Sequence, residues 1–480
     1  MIRHIMKHEW MLLSRERILY IAIPIYALLI CYGVAIGTNW KGFLHTSSSN
    51  AVGLADAGFK SKLEKMDRII SGKDPETYFE DPRVAAPLAR YKGYEMATKP
   101  PAPTAAIAIG QSDVLPSYLK VQWKPMFKQS NTDELENPKN LAIGAFDLSF
   151  VLIYLYPLLI IALSYNILSS ERENGTQALL LSQPVSVGQF VLGKILLRGA
   201  IIIGLAVGIS IVGLLIANPE IIVAGDLWRV LVLAVVLLAY GVFWFGLAVL
   251  VNAFGKRSSA NALALMGIWI ALVLIVPACL NLIAKVAHPL PSRIEMVQAL
   301  RRGDRVAETQ SNFSRSYRSD LLRKSEEEAL AASNADFYAK VLPLEEKGEA
   351  IARPIFTEFR QQKHAQQAFT ENLKFLSPAI IAQTALSELA NQSSANFEAF
   401  NAQVEAYHEK WRQYFLPAVM TNRLLTREEF LAIPRFRYQP ESNGVVAKRL
   451  LGDLFGLILF AGLAVAVGFN LLRRYPAAGR

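Results

Sequence analysis

Two short patterns in this 480-residue chain have the residue types to bind a nucleotide or a metal ion. Residues 188–194 match the phosphate-binding pattern G-x-x-x-x-G-K. The next residue is Ile195, where such a loop needs a Ser or Thr hydroxyl for Mg²⁺, and no strand precedes the pattern. His4 and His8 have the i, i+4 spacing of metal ligands on a helix, but no cluster of further ligands accompanies them. We therefore predict no catalytic, cofactor or metal site on this chain.

A third pattern, between residues 170 and 194, is rich in residue types that cap or break helices. We expect a short helix, a break marked by Pro184 and then a second helix. Glu171 and Glu173 would lie in the first turn, where carboxylates favour a helix N-terminus. Gly175-Thr176 would break or recap that helix. Taken alone, the segment is also compatible with a simple amphipathic connector.

The distribution of charge predicts the elements around this segment. Hydrophobic residues make up 52% of the chain, and six stretches of 19 to 27 residues contain no Asp, Glu, Lys or Arg. A helix needs about 20 apolar residues to cross a bilayer, so each stretch can span one. We predict an all-α polytopic membrane protein and exclude a soluble enzyme. The predicted spans are 18–40, 148–169, 195–218, 230–254, 260–284 and 454–472.

Lys and Arg predict the orientation, because they are enriched in short cytoplasmic segments. With the N-terminus inside, the inner pieces between the charge-free stretches, 1–17, 171–198, 256–257 and 473–480, hold 12 basic and four acidic residues, which gives +8 of the formal net charge of +10. The pI of about 9.4 therefore reflects topology and does not indicate nucleic-acid binding. We expect both termini to be cytoplasmic. The inner segments are 1–17, 170–194, 255–259 and 473–480, and the outer ones are 41–147, 219–229 and 285–453.

The first inner segment, 1–17, is predicted to be an interfacial helix. Its apolar side chains share one face, so it should lie along the inner membrane surface. These side chains are Ile2, Ile5, Met6, Trp10 and Leu13.

Two of the outer segments are long insertions. In the first insertion, 41–147, turn-rich pieces alternate with short β-prone runs such as 118–123, which predicts a mixed or loop-rich unit. In the second insertion, 285–453, apolar residues recur at helical spacing, which predicts a mostly helical unit built of long hairpins. One aromatic stripe in it is expected to pack in a core. It contains Phe397, Phe400, Val404, Tyr407, Trp411 and Phe415.

The 170–194 segment resembles the cytoplasmic loop of type-2 ABC transporter permeases. The family pattern is E-x-x-x-G-T, then L-x-x-P-[VI]-S, then a Lys before the third span, and this chain matches it in order and spacing. The resemblance covers all six spans and implies that the loop is a coupling helix, which docks in a groove of a separate ATPase subunit. The implied coupling residues are Glu171, Glu173, Gly175, Thr176, Leu181, Pro184, Val185, Ser186 and Lys194.

Motifs in both insertions are similar to a narrower branch, the bacterial permeases grouped with multi-copper-enzyme maturation exporters. No Met-rich or Cys/His cluster in either insertion offers copper a site. The resemblance therefore implies this class of permease and does not imply a copper site. The motifs are Ala108-Ile109-Gly110-Gln111-Ser112-Asp113 with Pro116, Leu376-Ser377-Pro378, Gln383, Leu386, Leu389-Ala390, and the stripe residues from Phe400 to Trp411.

The resemblance implies the permease subunit of an ATP-driven ABC transporter in the bacterial inner membrane, and specifically an exporter. Six spans make half a translocation path in this family. The implied partners are therefore a second permease subunit, identical or paralogous, and two copies of an ABC ATPase subunit, which bind ATP and Mg²⁺. A periplasmic protein is a further possible partner.

Two alternatives to an ABC permease come from other functional classes. An ion-coupled transporter is disfavoured, because the six charge-free stretches also lack His and so offer no titratable site at depth. The second is an ATPase-driven envelope scaffold, or mechanotransmitter, that acts on a periplasmic partner without transporting a substrate. The sequence is compatible with this reading.

The predicted topology is tested by cysteine accessibility. A cysteine replacing Ser325 should react with a membrane-impermeant thiol reagent added to whole cells, because 285–453 is expected outside. A cysteine replacing Ser258 should react only after permeabilisation. The opposite pattern of labelling would invert the orientation.

Overall fold

The computed structural model describes residues 2–15, 17–124, 146–176, 186–310 and 326–473, with side chains left out at 17, 18, 307–310 and 326–345. The predicted all-α membrane class is confirmed in these residues, where helices dominate and one two-stranded sheet is present. The α-helices are Ile2–Leu13, Arg17–Ile70, Ala85–Pro87, Leu148–Phe150, Tyr156–Ser164, Ser169–Glu173, Val187–Ala217, Glu220–Val223, Leu227–Ala253, Ser258–Trp269, Val276–Ala287, Arg293–Gln310, Glu326–Leu373, Pro378–Leu389, Ser394–Met420, Arg427–Leu431 and Asn443–Leu472.

Six helical segments are long and apolar enough to span a membrane. We call them the first to sixth spans, in chain order. They are Leu19–Ile70, Leu148–Glu173, Val187–Ala217, Leu227–Ala253, Ser258–Ala287 and Asn443–Leu472. The end of the bundle that carries residues 170–176 and 186–194 is called the loop side, and the end that carries the described parts of both insertions is called the insertion side.

The first helix is much longer than its charge-free stretch. It runs without a break from Arg17 to Ile70, 54 residues, so residue 40 is not a structural boundary. Beyond residue 40 buried side chains recur every three or four positions up to residue 55 and again at 66 and 69, and this stripe keeps the chain helical against its neighbours. That stripe is Leu44, Ser48, Ala51, Ala55, Met66 and Ile69.

The second and fourth spans form the centre of the bundle. In the apolar 18-residue stretch of each, 61% and 67% of the residues are buried, against 17% to 33% in the other spans. Two tyrosines join them reciprocally. Tyr156 of the second span donates to Leu237 O at 3.4 Å, and Tyr240 of the fourth donates to Ile153 O at 3.1 Å. Gly241 makes room for Tyr156, because a methyl group there would collide with the phenol oxygen.

Two spans contain a π-helical segment. Val151–Leu155 interrupts the second span, and Ile270–Ile275 interrupts the fifth. Short π segments inside α-helices cost regular hydrogen bonding and are often found at functional sites. The carbonyl of Ile153, which accepts from Tyr240, belongs to the first of these segments.

The N-terminal helix Ile2–Leu13 packs on the third span. Ile5 fits against Gly193, where a Cβ would contact its side chain, and Leu13 is buried. Trp10 is 50% exposed and does not share that packed face. The interfacial helix over 1–17 therefore stays a prediction.

The two insertions share one hydrophobic core. In the first insertion, strands Glu95–Thr98 and Tyr118–Val121 pair antiparallel, beside a π turn, Leu88–Lys92, and a 3₁₀ turn, Pro103–Ile107. The mixed interpretation is thus confirmed for this part of the insertion. The predicted aromatic stripe is buried on helix Ser394–Met420 and packs against the first insertion: Phe397, Phe400, Val404, Tyr407, Trp411 and Phe415.

A helical hairpin forms the start of the second insertion, as predicted. Arg293–Gln310 packs along Glu326–Leu373, with a small core around Phe356. Gly303 and Gly348 let the two backbones approach closely, because a Cβ on Gly303 would collide with the Gly348 carbonyl. A 3₁₀ turn, Lys374–Leu376, then leads into the buried helix Pro378–Leu389.

We predict that Gly241→Ala destabilises the bundle by about 1–3 kcal/mol, as overpacking does. The added methyl group would displace Tyr156 and weaken its bond to the fourth span. The midpoint of thermal unfolding of the detergent-solubilised protein is the measurement. Gly267→Ala is the matched control, since nothing lies within 4 Å of a Cβ there. Adding Tyr156→Phe should restore part of the loss, and a Gly241→Ala protein as stable as the control would contradict this packing.

Candidate functional site

The structure brings six of the nine predicted coupling residues to the loop side. Leu181, Pro184 and Val185 lie outside the described residues. The other six occupy the two ends of the loop, at the end of the second span and the start of the third. They are Glu171, Glu173, Gly175, Thr176, Ser186 and Lys194.

The E-x-x-x-G-T pattern is a helix stop. The short helix Ser169–Glu173 ends because Gly175 adopts a φ of +71°, which favours glycine. Gly175 N donates to Arg172 O at 3.2 Å, and Thr176 N donates to Glu171 O at 2.9 Å. This pair of bonds is a Schellman cap. The prediction that both glutamates lie in a first turn is wrong for Glu173, which is the last residue of the helix.

Ser186 starts the helix of the third span with a capping box. Gln189 N donates to the Ser186 hydroxyl at 3.2 Å, and Ser186 N donates to Gln189 Oε1 at 3.3 Å. The cap satisfies backbone donors that the helix itself leaves unpaired. Both flanks of the loop therefore have defined ends, set by residues of the family pattern.

Lys194 is the buried charge of the predicted site. Its ammonium donates to Glu171 Oε1 at 2.8 Å and to Ile167 O at 3.2 Å, and its side chain is 2% exposed. The ring of Phe190 lies 4.6 Å from Nζ and adds a cation–π contact. The predicted pattern residues at either end of the loop are thus joined by an ion pair in which the ammonium is buried and the carboxylate side chain is 18% exposed.

Sequence reasoning missed Glu9, which completes this site. Arg198 Nε donates to Glu9 Oε1 at 2.7 Å, and Lys194 Nζ lies 3.6 Å from Glu9 Oε2. Glu9 is 1% exposed, so it needs these two cations. The available signal was its position, since Glu9 falls on the same helical face as Ile5 and Leu13. We call Glu9, Glu171, Lys194 and Arg198 the charge cluster.

Glu173 faces a different element. Its carboxylate accepts from Ser258 N at 2.7 Å and from the Ser258 hydroxyl at 2.8 Å, at the start of the fifth span. Two carboxylates of the short helix, separated by Arg172, therefore contact two different spans, Glu171 the third and Glu173 the fifth.

A second polar site lies on the insertion side, where the buried helix Pro378–Leu389 ends. We call residues 388–392 the insertion-side junction. Backbone carbonyls of this segment accept hydrogen bonds from the fourth span and from the first insertion. The donors are Arg229 to Leu389 O at 3.2 Å, Thr104 to Leu389 O at 2.7 Å, Lys99 to Asn391 O at 2.7 Å and Gln111 N to Gln392 O at 2.9 Å.

The side chain of Glu388 adds the sixth span to this junction. Arg449 donates to its Oε1 from Nε at 2.9 Å and from Nη2 at 2.6 Å, and Ser393 donates to its Oε2 at 2.6 Å. Glu388 is 3% exposed. Burial lowers the pKa of nearby Lys99 to about 8, although Glu441 and Glu388 oppose that shift. The two sequence motifs of the insertions therefore meet here, with Gly110 packed against Gln392.

Neither site has the composition of a metal centre. Among the residues that the structure describes, no group of three or more His, Cys, Asp or Glu side chains is placed to hold a metal ion. The carboxylates of the charge cluster are occupied by Lys194 and Arg198. What both sites can do is join separate helices through buried charge.

Comparison with known proteins gives the family. The profile of the ABC-2 family transporter proteins matches residues 3–426. A similar protein is the probable ABC transporter permease protein NosY of Stutzerimonas stutzeri, 32% identical over 127 residues, which is 25% of this chain. The match covers 45% of the length of NosY. The predicted membership is confirmed: the chain belongs to the ABC-2 family of transporter proteins and is a membrane permease of the ABC transporter class.

Proposed function

We propose that this permease is an exporter subunit driven by a separate ABC ATPase, which docks on the 170–194 loop. The charge cluster is the observation that carries the proposal. It joins the loop to the third span and to the N-terminal helix. A force applied to the loop therefore reaches two further helices through contacts of 2.7 to 3.6 Å.

The chemistry of the cluster suits a transmitting role. Buried ion pairs add little net stability compared with apolar packing, yet removing one partner costs about 3–5 kcal/mol. Such pairs instead fix which elements remain together. Lys194 pairs with both Glu171 and Glu9, so a displacement of the short helix Ser169–Glu173 changes the position of the third span and of the N-terminal helix.

The partners follow from the same proposal. Two copies of the ATPase subunit supply ATP and Mg²⁺, and a second permease subunit, identical or paralogous, completes the path. The loop side faces the cytoplasm of a bacterial cell, so both termini lie on the cytoplasmic side of the inner membrane and both insertions lie on its periplasmic side.

Affinity purification from native membranes with mass spectrometry tests these partners. Failure to recover a P-loop ATPase after mild cross-linking at the loop would contradict the proposal.

Gly175→Ala and Pro184→Ala should uncouple ATP hydrolysis from substrate movement while leaving membrane insertion intact. Alanine at the φ of +71° costs about 1–2 kcal/mol and shifts the cap of the short helix. We expect substrate movement to fall by roughly fivefold to thirtyfold, the equilibrium equivalent of that energy. Transport and ATP hydrolysis are measured side by side in the same vesicles.

Gly188→Ala is the matched control for this experiment. Its added methyl group meets nothing within 4 Å, and it lies on the other flank of the same loop, at the start of the third span. It should behave as the unaltered protein. Normal substrate movement in both uncoupling variants would overturn the coupling assignment.

A second candidate function is mechanotransmission to a periplasmic partner, and the insertion-side junction favours it. Arg229 of the fourth span and Arg449 of the sixth both bind the 388–392 segment, so movement of either span is passed to both insertions. In this reading ATP hydrolysis moves the outer unit, which then acts on another protein without any substrate crossing the membrane.

Glu388→Gln tests the route to the outer unit. The amide keeps the volume but loses charge-assisted bonds from Arg449, which are worth about 1.5–3 kcal/mol. We expect the ATP-dependent change in hydrogen exchange of helix Ser394–Met420 to be lost in the purified complex. Glu409→Gln, on an exposed position of that helix, is the control. An unchanged ATP response in Glu388→Gln would exclude the junction as the route.

A further inference from the structure

The turn between the fourth and fifth spans is held by two adjacent residues of the short loop-side helix. The fourth span ends at Ala253, Gly255 follows with a φ of +64°, and the fifth span starts at Ser258. The guanidinium of Arg172 donates to Gly255 O. Glu173 accepts from Ser258 N at 2.7 Å and from its hydroxyl at 2.8 Å. One dipeptide therefore binds both ends of this turn.

The signs of the two charges match the two helix ends. Carbonyls at a helix C-terminus carry partial negative charge, and amides at a helix N-terminus carry partial positive charge. Arg172 binds next to the C-terminus of the fourth span, and Glu173 binds the N-terminus of the fifth. Arg257, the N-cap residue, supplies no side-chain bond to this helix. Glu173 thus provides the cap from another part of the chain.

Buried amides tie the part of the second span just before the short helix to the two spans. Leu168 N donates to Asn252 Oδ1 at 3.3 Å, and Asn261 Nδ2 donates to Tyr165 O at 3.3 Å. The hydroxyls of Ser169 and Ser258 lie 2.8 Å apart. Several hydrogen bonds therefore hold the short helix and the turn together, so the two should move as one body.

The fifth span is well suited to be moved in this way. Only 17% of the residues in its apolar 18-residue stretch are buried within the chain, the lowest share of the six spans. Little packing within the chain therefore resists its movement, and the bonds at its start decide how far it follows the loop. The charge cluster, by contrast, joins the second span, the third span and the N-terminal helix, and its ion pairs do not include the fifth span.

We infer that Arg172 and Glu173 are positioning residues of a second coupling branch, which carries movement of the loop to the fourth and fifth spans. The inference rests on the proposed function and deepens it. Glu171 and Lys194 serve the branch to the third span. Adjacent side chains on one five-residue helix thus divide a single displacement between two halves of the bundle.

The test uses an environment-sensitive thiol dye at one site at a time, in the complex of full-length permease and ATPase in nanodiscs. Cys31 and Cys279 are first replaced by Ser. The dye is attached through Leu263→Cys on the fifth span or Leu196→Cys on the third, which are 76% and 46% exposed. Emission is compared with and without ATP and Mg²⁺.

In Glu173→Ala, the ATP-dependent change at 263 should fall by about fivefold or more, and the change at 196 should persist. Glu171→Ala should give the opposite pattern. Glu173→Gln keeps an acceptor for Ser258 and should recover part of the response at 263. Emission at 263 without ATP should stay unchanged in all variants, which separates lost coupling from a locally unfolded helix.

Two results would overturn this inference. One is a full ATP response at 263 in Glu173→Ala, and the other is an altered emission at 263 before ATP is added. A different result would refute the proposed function instead: no ATP response at either site in the unaltered complex, with the ATPase bound and hydrolysing.

Discussion

A buried amine organises the loop side of this permease. Lys194 is 2% exposed, and a charge so far from water must have opposite charge in contact with it. Its carboxylates come from two separate segments, Glu171 before the third span and Glu9 near the N-terminus. Glu9 also pairs with Arg198, so this carboxylate lies between two cations. The three segments can therefore reach this arrangement only together, which makes them a single mechanical unit.

The insertion side meets a related constraint by different means. Helix Pro378–Leu389 ends inside the protein, where its last carbonyls cannot bind water and must find donors. Arg229 and Lys99 supply them, as cations placed at the negative end of a helix. Each donor comes from another element, so satisfying these carbonyls assembles the fourth span, the first insertion and the second insertion around one short segment. Glu388 brings in the sixth span through Arg449.

Features that depend on neighbouring residues could be predicted from the sequence, and contacts between residues far apart in the chain could not. Bilayer-length apolar stretches and the caps at Gly175 and Ser186 are encoded within short segments, so they were predictable. The pairing of Glu9 with Arg198 joins residues far apart in the chain, and no periodicity indicates it. The extension of the first helix to Ile70 was hidden because Ser47–Asn50 has side chains that compete with helical hydrogen bonds and is typical of loops. Tertiary packing on the insertions overrides that local preference.

The fourth span gives the most direct connection between the two polar sites. Its Asn252 is bonded to Leu168, just before the short loop-side helix, and its Arg229 is bonded to the insertion-side junction. The 27-residue helix is about 40 Å long at 1.5 Å per residue, comparable to the thickness of a bilayer with its headgroups. The apolar interior between them offers no ionic relay, so any signal must pass as movement of packed helices. The reciprocal bonds of Tyr156 and Tyr240 then oblige the second span to move with the fourth.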